Sequence, residues 1–243
     1  MIWRLPTFFS ISSLAVLNMF YGSLLAGTVS GHVSVVQSGH SAGRRSSDYS
    51  GVVVWLTFND TVGLDPVRKH VEMRQKDKKF TPHILAVETG TSVDLPNLDP
   101  IFHNAFSNFN GQIFDVALYP PGSSKSVRFD RSGIVRIFCN IHPSMSAIIV
   151  VVDSSYYAVT KSDGSFYIPD VRSGTYELNV FYERSTPETL EALTRRITVD
   201  SEALELPDIS VSEAGYLPVA HKNKYGRDYP VNSDQAGYSL PLK

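Results

Sequence analysis

Apolar and polar residues alternate along most of this chain. Val52, Val54, Leu56 and Phe58 share one parity, and so do Tyr176, Leu178, Val180 and Tyr182. Val135, Ile137 and Cys139 fall on one side of a third run, with Arg136 and Phe138 on the other. A period of two places neighbours on opposite faces of a strand. Turn-forming residues separate these runs: Gly90-Thr91, Pro120-Pro121-Gly122, Asp130 to Gly133, Asp163-Gly164 and Ser173-Gly174. The one helix predicted is short, about Pro187 to Leu193. Thr186 can cap it, Pro187 suits its first position and Glu188 suits its dipole. The expected fold class is therefore all-β.

The N-terminus departs from this pattern. Met1 to Arg4 is a short basic stretch, and Leu5 to Ala26 carries no charge and is mostly apolar. The small residues Ala26-Gly27-Thr28 follow. Residues 1–26 read as a secretory signal peptide, with an uncleaved anchor as the alternative. Pro6, Asn18 and several serines interrupt the run and favour cleavage. Ala147–Val152 is too short to span a bilayer, so no membrane span is expected after cleavage. The expected location is periplasmic or secreted.

Composition narrows the partners. The 243 residues carry a formal net charge of −2, which argues against nucleic acid as a partner. The only cysteine is Cys139, so an internal disulfide is ruled out. In an oxidising compartment a lone thiol is an inert buried residue, an intermolecular bridge or a metal ligand.

The neighbours of Cys139 bear on that choice. In Phe138-Cys139-Asn140-Ile141-His142-Pro143-Ser144-Met145, a thiolate, an imidazole and a thioether lie close together. His103 stands upstream in Asp99-Pro100-Ile101-Phe102-His103-Asn104. Two His, one Cys and a weak axial Met make up the blue-copper set. Cys139 ends a strand on the core parity, and a tight loop stiffened by Pro143 can return His142 beside it. Met145 begins the next strand, and His103 must arrive from another. Three alternatives stand beside this. Zinc is usually bound by four Cys, His or carboxylate groups, and thioether is a poor fourth. A Cys–His catalytic pair leaves Met145 unexplained. A purely structural reading leaves Cys139 and Met145 in the core and both histidines incidental.

These residues carry a resemblance. Residues 68–152 are read as one domain. Within it, 71–152 resemble a cupredoxin of the plastocyanin and amicyanin kind, through Phe80-Thr81-Pro82, Val93 to Asn97, His103 to Ser107, Phe114-Asp115 and Cys139 to Met145. The Cys-x-x-His-x-x-Met spacing is similar to the short amicyanin-type loop. The same segments resemble plastocyanin-like methylamine utilization proteins. The resemblance implies a Greek-key β-sandwich holding one type 1 copper. His103, Cys139 and His142 would be equatorial ligands and Met145 axial, while Asn104 would tie the ligand loops together by hydrogen bonds.

A second resemblance covers the flanks. Gly27-Thr28-Val29-Ser30-Gly31-His32-Val33, Asp163-Gly164-Ser165-Phe166 and Ser173 to Leu178 look like a transthyretin-like, carboxypeptidase-regulatory-type β-sandwich. It implies a discontinuous unit, residues 27–60 with 153–212, into which the cupredoxin is inserted. The alternative is two successive domains. Residues 38–50 read as a polar loop and 60–67 as a linker. The basic run 68–79 reads as a solvated edge, where lysines discourage pairing. Residues 213–243 read as an extended C-terminal tail. His32, His40, His70, His83 and His221 are given no site role, and no His-x-His pair supports a second, catalytic copper centre.

The functional expectation is an exported copper protein that is not an enzyme and passes single electrons between a redox donor and an acceptor through brief docking. The exposed edge of His142 would be the electron port, ringed by Ile141, Pro143 and Phe102. A copper carrier or store without a redox role, and a non-catalytic β-sandwich binding module, are the alternatives.

Overall fold

The computed structural model describes residues 26–36, 48–58, 69–108, 111–217 and 221–230. Residues 1–25 of the expected signal peptide, most of the expected 38–50 loop, the expected 60–67 linker and residues 231–243 lie outside the described residues. What is described is all-β apart from one helical turn, Pro187–Glu191. Thr186 caps that turn by accepting from Thr189 N, with Pro187 in its first turn.

Two sets of sheets divide the strands. In the first set, Ala26–Val36 runs antiparallel to Ser165–Arg172 and parallel to Ala203–Glu205 and Ile209–Ser212. Facing it, Val53–Phe58 pairs with Tyr157–Val159 and Gly174–Phe181, and Gly174–Phe181 pairs with Arg195–Val199. N-terminal strands thus pair with strands from 157–212, across the whole intervening segment. Val29, Val33, Val54, Leu56, Ile168 and Leu178 fill the space between the sheets. Each strand contributes alternate residues, as the period of two requires. At one hairpin, Gly164 has φ +86° and its Cα lies so close to Val33 O that any side chain would collide.

The second set carries the Cys139 loop. A three-stranded sheet (Ser124–Phe129, Thr91–Pro96, His70–Glu72) faces a five-stranded one. The latter runs Ile84–Glu88, Ser146–Val152, Gly133–Phe138, Phe106–Ser107, Phe114–Asp115. Val93, Leu95, Phe129, Val135, Ile137 and Ile149 are among the residues that build its core, and Cys139 and Met145 belong to the same cluster. Within the basic run, short strands begin at His70, Arg74 and Lys79; Arg74, Lys76 and Lys79 are exposed, while Met73 and Gln75 are fully buried.

Ser146–Val152 joins the two sets. Ala147, Ile149 and Val151 face the second core. Ile148, Val150 and Val152 point the other way, against Val53, Ala86 and Phe181. The continuous apolar run AIIVVV is therefore a strand buried on both faces. At the rim of this seam His83 Nε2 lies 2.7 Å from Glu183 Oε2, and His83 Nδ1 lies 3.1 Å from Ser146 O. Arg136 Nη1 stands 3.9 Å from the same carboxylate.

The hydrogen bond to Glu183 raises the His83 pKa above its usual 6.5, against the opposing effect of burial. The same bond holds Glu183 below the usual 4.5. A raised His favours the fold below 6.5 and loses that contribution as pH climbs through its folded value. A lowered Glu favours the fold above 4.5 and loses its share as pH falls. The pair therefore contributes fully between 4.5 and 6.5. NMR titration is expected to place the His83 midpoint above 6.5, and Glu183→Gln should return it toward that value.

Candidate metal centre

The Cys139–Met145 loop connects two antiparallel strands that pair at Phe138 and Ser146. Two backbone bonds close it: Cys139 N donates to Met145 O (3.1 Å) and Met145 N to His142 O (3.0 Å). These bonds curl the loop so that the imidazole returns over the thiol. His142 Nδ1 lies 3.6 Å from Cys139 Sγ. Met145 is fully buried in the same cluster as Cys139.

His103 comes from a different segment. Its backbone makes a bridge with Tyr119, His103 N to Tyr119 O at 3.2 Å and Tyr119 N to His103 O at 2.8 Å. Upstream, Asn97 shapes the approach: its Oδ1 accepts Asp99 N (3.1 Å) and its Nδ2 donates to Ile101 O (2.8 Å). The result points His103 Nδ1 at Cys139 Sγ, 3.9 Å away. The two imidazoles meet edge to face, with centroids 4.9 Å apart.

His103, Cys139 and His142 are the one group of three or more His, Cys, Asp or Glu side chains that converges among the described residues. Their ligand atoms all lie within 4.8 Å of one another, and all three residues are at most 1 % exposed. Bonds of about 2.0 Å to imidazole and about 2.3 Å to thiolate, spread at 120°, put ligand atoms roughly 3.5–3.7 Å apart. The observed 3.6 and 3.9 Å fit a single ion.

Tautomers fit as well. His103 Nε2 lies 2.7 Å from Asp99 Oδ2, so the ring proton sits there and Nδ1 offers a lone pair to the thiol side. Burial lowers the His103 pKa and outweighs the carboxylate's pull in the other direction, keeping the ring neutral. Burial would raise Asp99, but Lys78 N, His103 and Asp77 N together hold it low and ionised. The site thus contains an oriented neutral imidazole backed by a fixed negative charge.

Asn104 links the two segments. Its Oδ1 accepts Asn140 N (3.3 Å), and its Nδ2 donates to Asp115 Oδ1 (2.8 Å). Tyr119 lies buried on the other side, accepting from Gln75 Nε2 and donating to Leu95 O (2.9 Å). Burial first, and then negative charge on Cys139, raise its pKa, so the phenol stays neutral.

Two sequence expectations are corrected here. The edge of His142 is not exposed: the residue is 1 % accessible. Ile141, Phe102 and Pro143, expected around it, are half-buried. The second correction concerns the C-terminal residues. Residues 221–230 do not trail away as a tail but bond to the ligand loop, and His221 is not incidental. Its Nε2 lies 2.7 Å from Pro143 O, and its ring stacks on Phe138 with centroids 4.0 Å apart. Asp99 was within reach of sequence reasoning, being a carboxylate four residues before His103. His221 and Tyr229 gave no periodic or motif signal.

No protein-family model matches the chain, and no curated protein matches it. Solved structures do. A purple cupredoxin from Nitrosopumilus maritimus aligns at 21 % identity over 35 % of this chain and 99 % of its own, with a TM-score of 0.30. A reduced amicyanin variant aligns at 17 % identity over 41 % of this chain and 98 % of its own, TM-score 0.33. A copper-containing nitrite reductase from Thermus scotoductus aligns at 19 % identity over 49 % of this chain and 28 % of its own, TM-score 0.33.

The Asp99 contact generates a test. Asp99→Asn keeps the shape but removes the charge that orients His103. Metal affinity is expected to fall about 10- to 100-fold, measured by competition with a chelator of known affinity.

Proposed function

We propose that this chain is an exported cupredoxin that holds one type 1 copper and passes single electrons between redox protein partners. The observation that carries the reading is the convergence of Cys139 Sγ with the Nδ1 atoms of His103 and His142 in a buried pocket. Thiolate with imidazole is a donor set that serves both copper oxidation states, and Met145 supplies a thioether on the same loop. Zinc fits less well, because structural sites take four strong ligands and catalytic ones keep an open position. Copper, when bound, supplies a one-electron couple.

The protein's part is to keep its ligands still. Asp99 fixes the plane and tautomer of His103, and Asn104 ties that segment to the Cys139 loop. Cys139 N and Met145 N are locked within the loop itself. Ligands held this firmly leave little to rearrange when charge changes by one. No substrate bond is made or broken, so the function needs no general acid or base.

Burial favours this reading over copper carriage. A carrier must release its ion, and release from this site requires the loop to open. The flanking strands form, in our reading, a transthyretin-like unit over 27–60 and 153–212 that supports residues 68–152. Export is read from residues 1–26. No helix among the described residues is long and apolar enough to cross a membrane. The redox donor and acceptor would dock briefly, as partners at small redox interfaces do.

Copper(II) added to the purified protein is expected to give one equivalent of binding and an intense visible thiolate-to-copper band. Cys139→Ser should abolish the band. A band retained in full by that variant would overturn the assignment, as would its absence from the parent.

A further inference from the structure

Residues 221–230 make a set of bonds that converge on the ligand loop. Tyr229 Oη donates to Cys139 O (2.8 Å), and His221 Nε2 pairs with Pro143 O (2.7 Å). Lys224 N donates to Asn140 Oδ1 (3.0 Å). Lys224 Nζ reaches Asp115 Oδ2 at 2.7 Å, on the same carboxylate that accepts Asn104 Nδ2. The bonded positions 139, 140 and 143 bracket His142. Rings add to this: His221 stacks on Phe138 at 4.0 Å, and Tyr229 stands edge-on to His221 at 5.3 Å. The segment has internal order of its own, since Asn223 accepts Tyr225 N and Arg227 N through its Oδ1.

We propose that residues 221–230 form a strap that completes the metal centre, with Tyr229 and His221 as positioning residues for the Cys139–Met145 loop. The inference deepens the copper reading and rests on it for the metal's response. Closure of the strap over the loop stands on the contacts alone.

The argument is one of constraint. A carbonyl accepting a phenol proton cannot rotate freely, so the Tyr229 bond fixes the peptide that follows Cys139 and hence the aim of Sγ. The His221 contact does the same on the far side of His142, at Pro143 O. Lys224 reads the loop through Asn140 and the His103 segment through Asp115 and Asn104. One strap thereby holds both ligand-bearing segments in register. It also leaves the Tyr225 ring on the exposed side of the strap.

The test uses the full chain with Tyr229→Phe, His221→Ala and the double substitution, with Arg227→Ala on the exposed side of the strap as a control. In metal-free protein, the rate of Cys139 alkylation by iodoacetamide reports loop opening. It is expected to rise about tenfold in the double variant and to stay at the parent value in Arg227→Ala. With copper(II) added, Tyr229→Phe should shift the thiolate-to-copper band without abolishing it, which a role in stability alone would not do. Parent rates together with a parent spectrum in both Tyr229→Phe and the double variant would overturn the strap. If the parent itself shows no such band, the copper reading fails. Alkylation rates then still decide whether the strap closes the loop. Tyr229→Phe, which removes one oxygen, keeps the test decisive if the double variant does not fold.

Discussion

The constraint on which the rest depends is that one strand, Ser146–Val152, is buried on both faces. Its odd-numbered residues complete the core beneath the candidate metal centre, and its even-numbered ones fill the seam against Val53 and Phe181. A strand in that position cannot slip by one residue without exchanging its two faces, so its register is fixed. Its register fixes in turn the hairpin with Gly133–Phe138 and the loop between them. Cys139 leaves one strand and Met145 enters the other at positions the packing dictates. The placement of the site is therefore set by a hydrophobic core before any local hydrogen bond is counted.

On that frame, polar contacts finish the geometry. A buried imidazole facing a buried thiol has no intrinsic reason to present Nδ1. Asp99 supplies it, and Asp99 is itself held ionised by the backbone N–H groups of Asp77 and Lys78. Asn104 then couples this arm to the Cys139 loop, and Asp115 couples Asn104 to the strap. Each link is a hydrogen bond of ordinary strength, but they run in series. A disturbance at Lys224 has a continuous path to His103. Such networks are worth most when every member is satisfied.

Much of this was legible in the sequence, and the reasons are physical. Period-two alternation marked an all-β chain because one-faced burial writes itself into every second residue. Cys139, His142 and Met145 stood out because a single hairpin loop carries all three. His103 could be added because its chemistry matched theirs, although only the fold shows it 3.9 Å from the thiol. The strap was not legible. Residues 221–230 have no periodicity, and their contacts with Pro143 and Cys139 span 78 and 90 residues. His142 is buried as well, although its short loop read alone suggests a surface position.

The measurement that bears most directly on this account is X-ray absorption at the copper edge of the loaded, full-length protein. The account predicts one short sulfur scatterer together with the multiple-scattering pattern of two imidazoles, the sulfur being lost in Cys139→Ser. A first shell of nitrogen and oxygen alone, unchanged by that substitution, would contradict it.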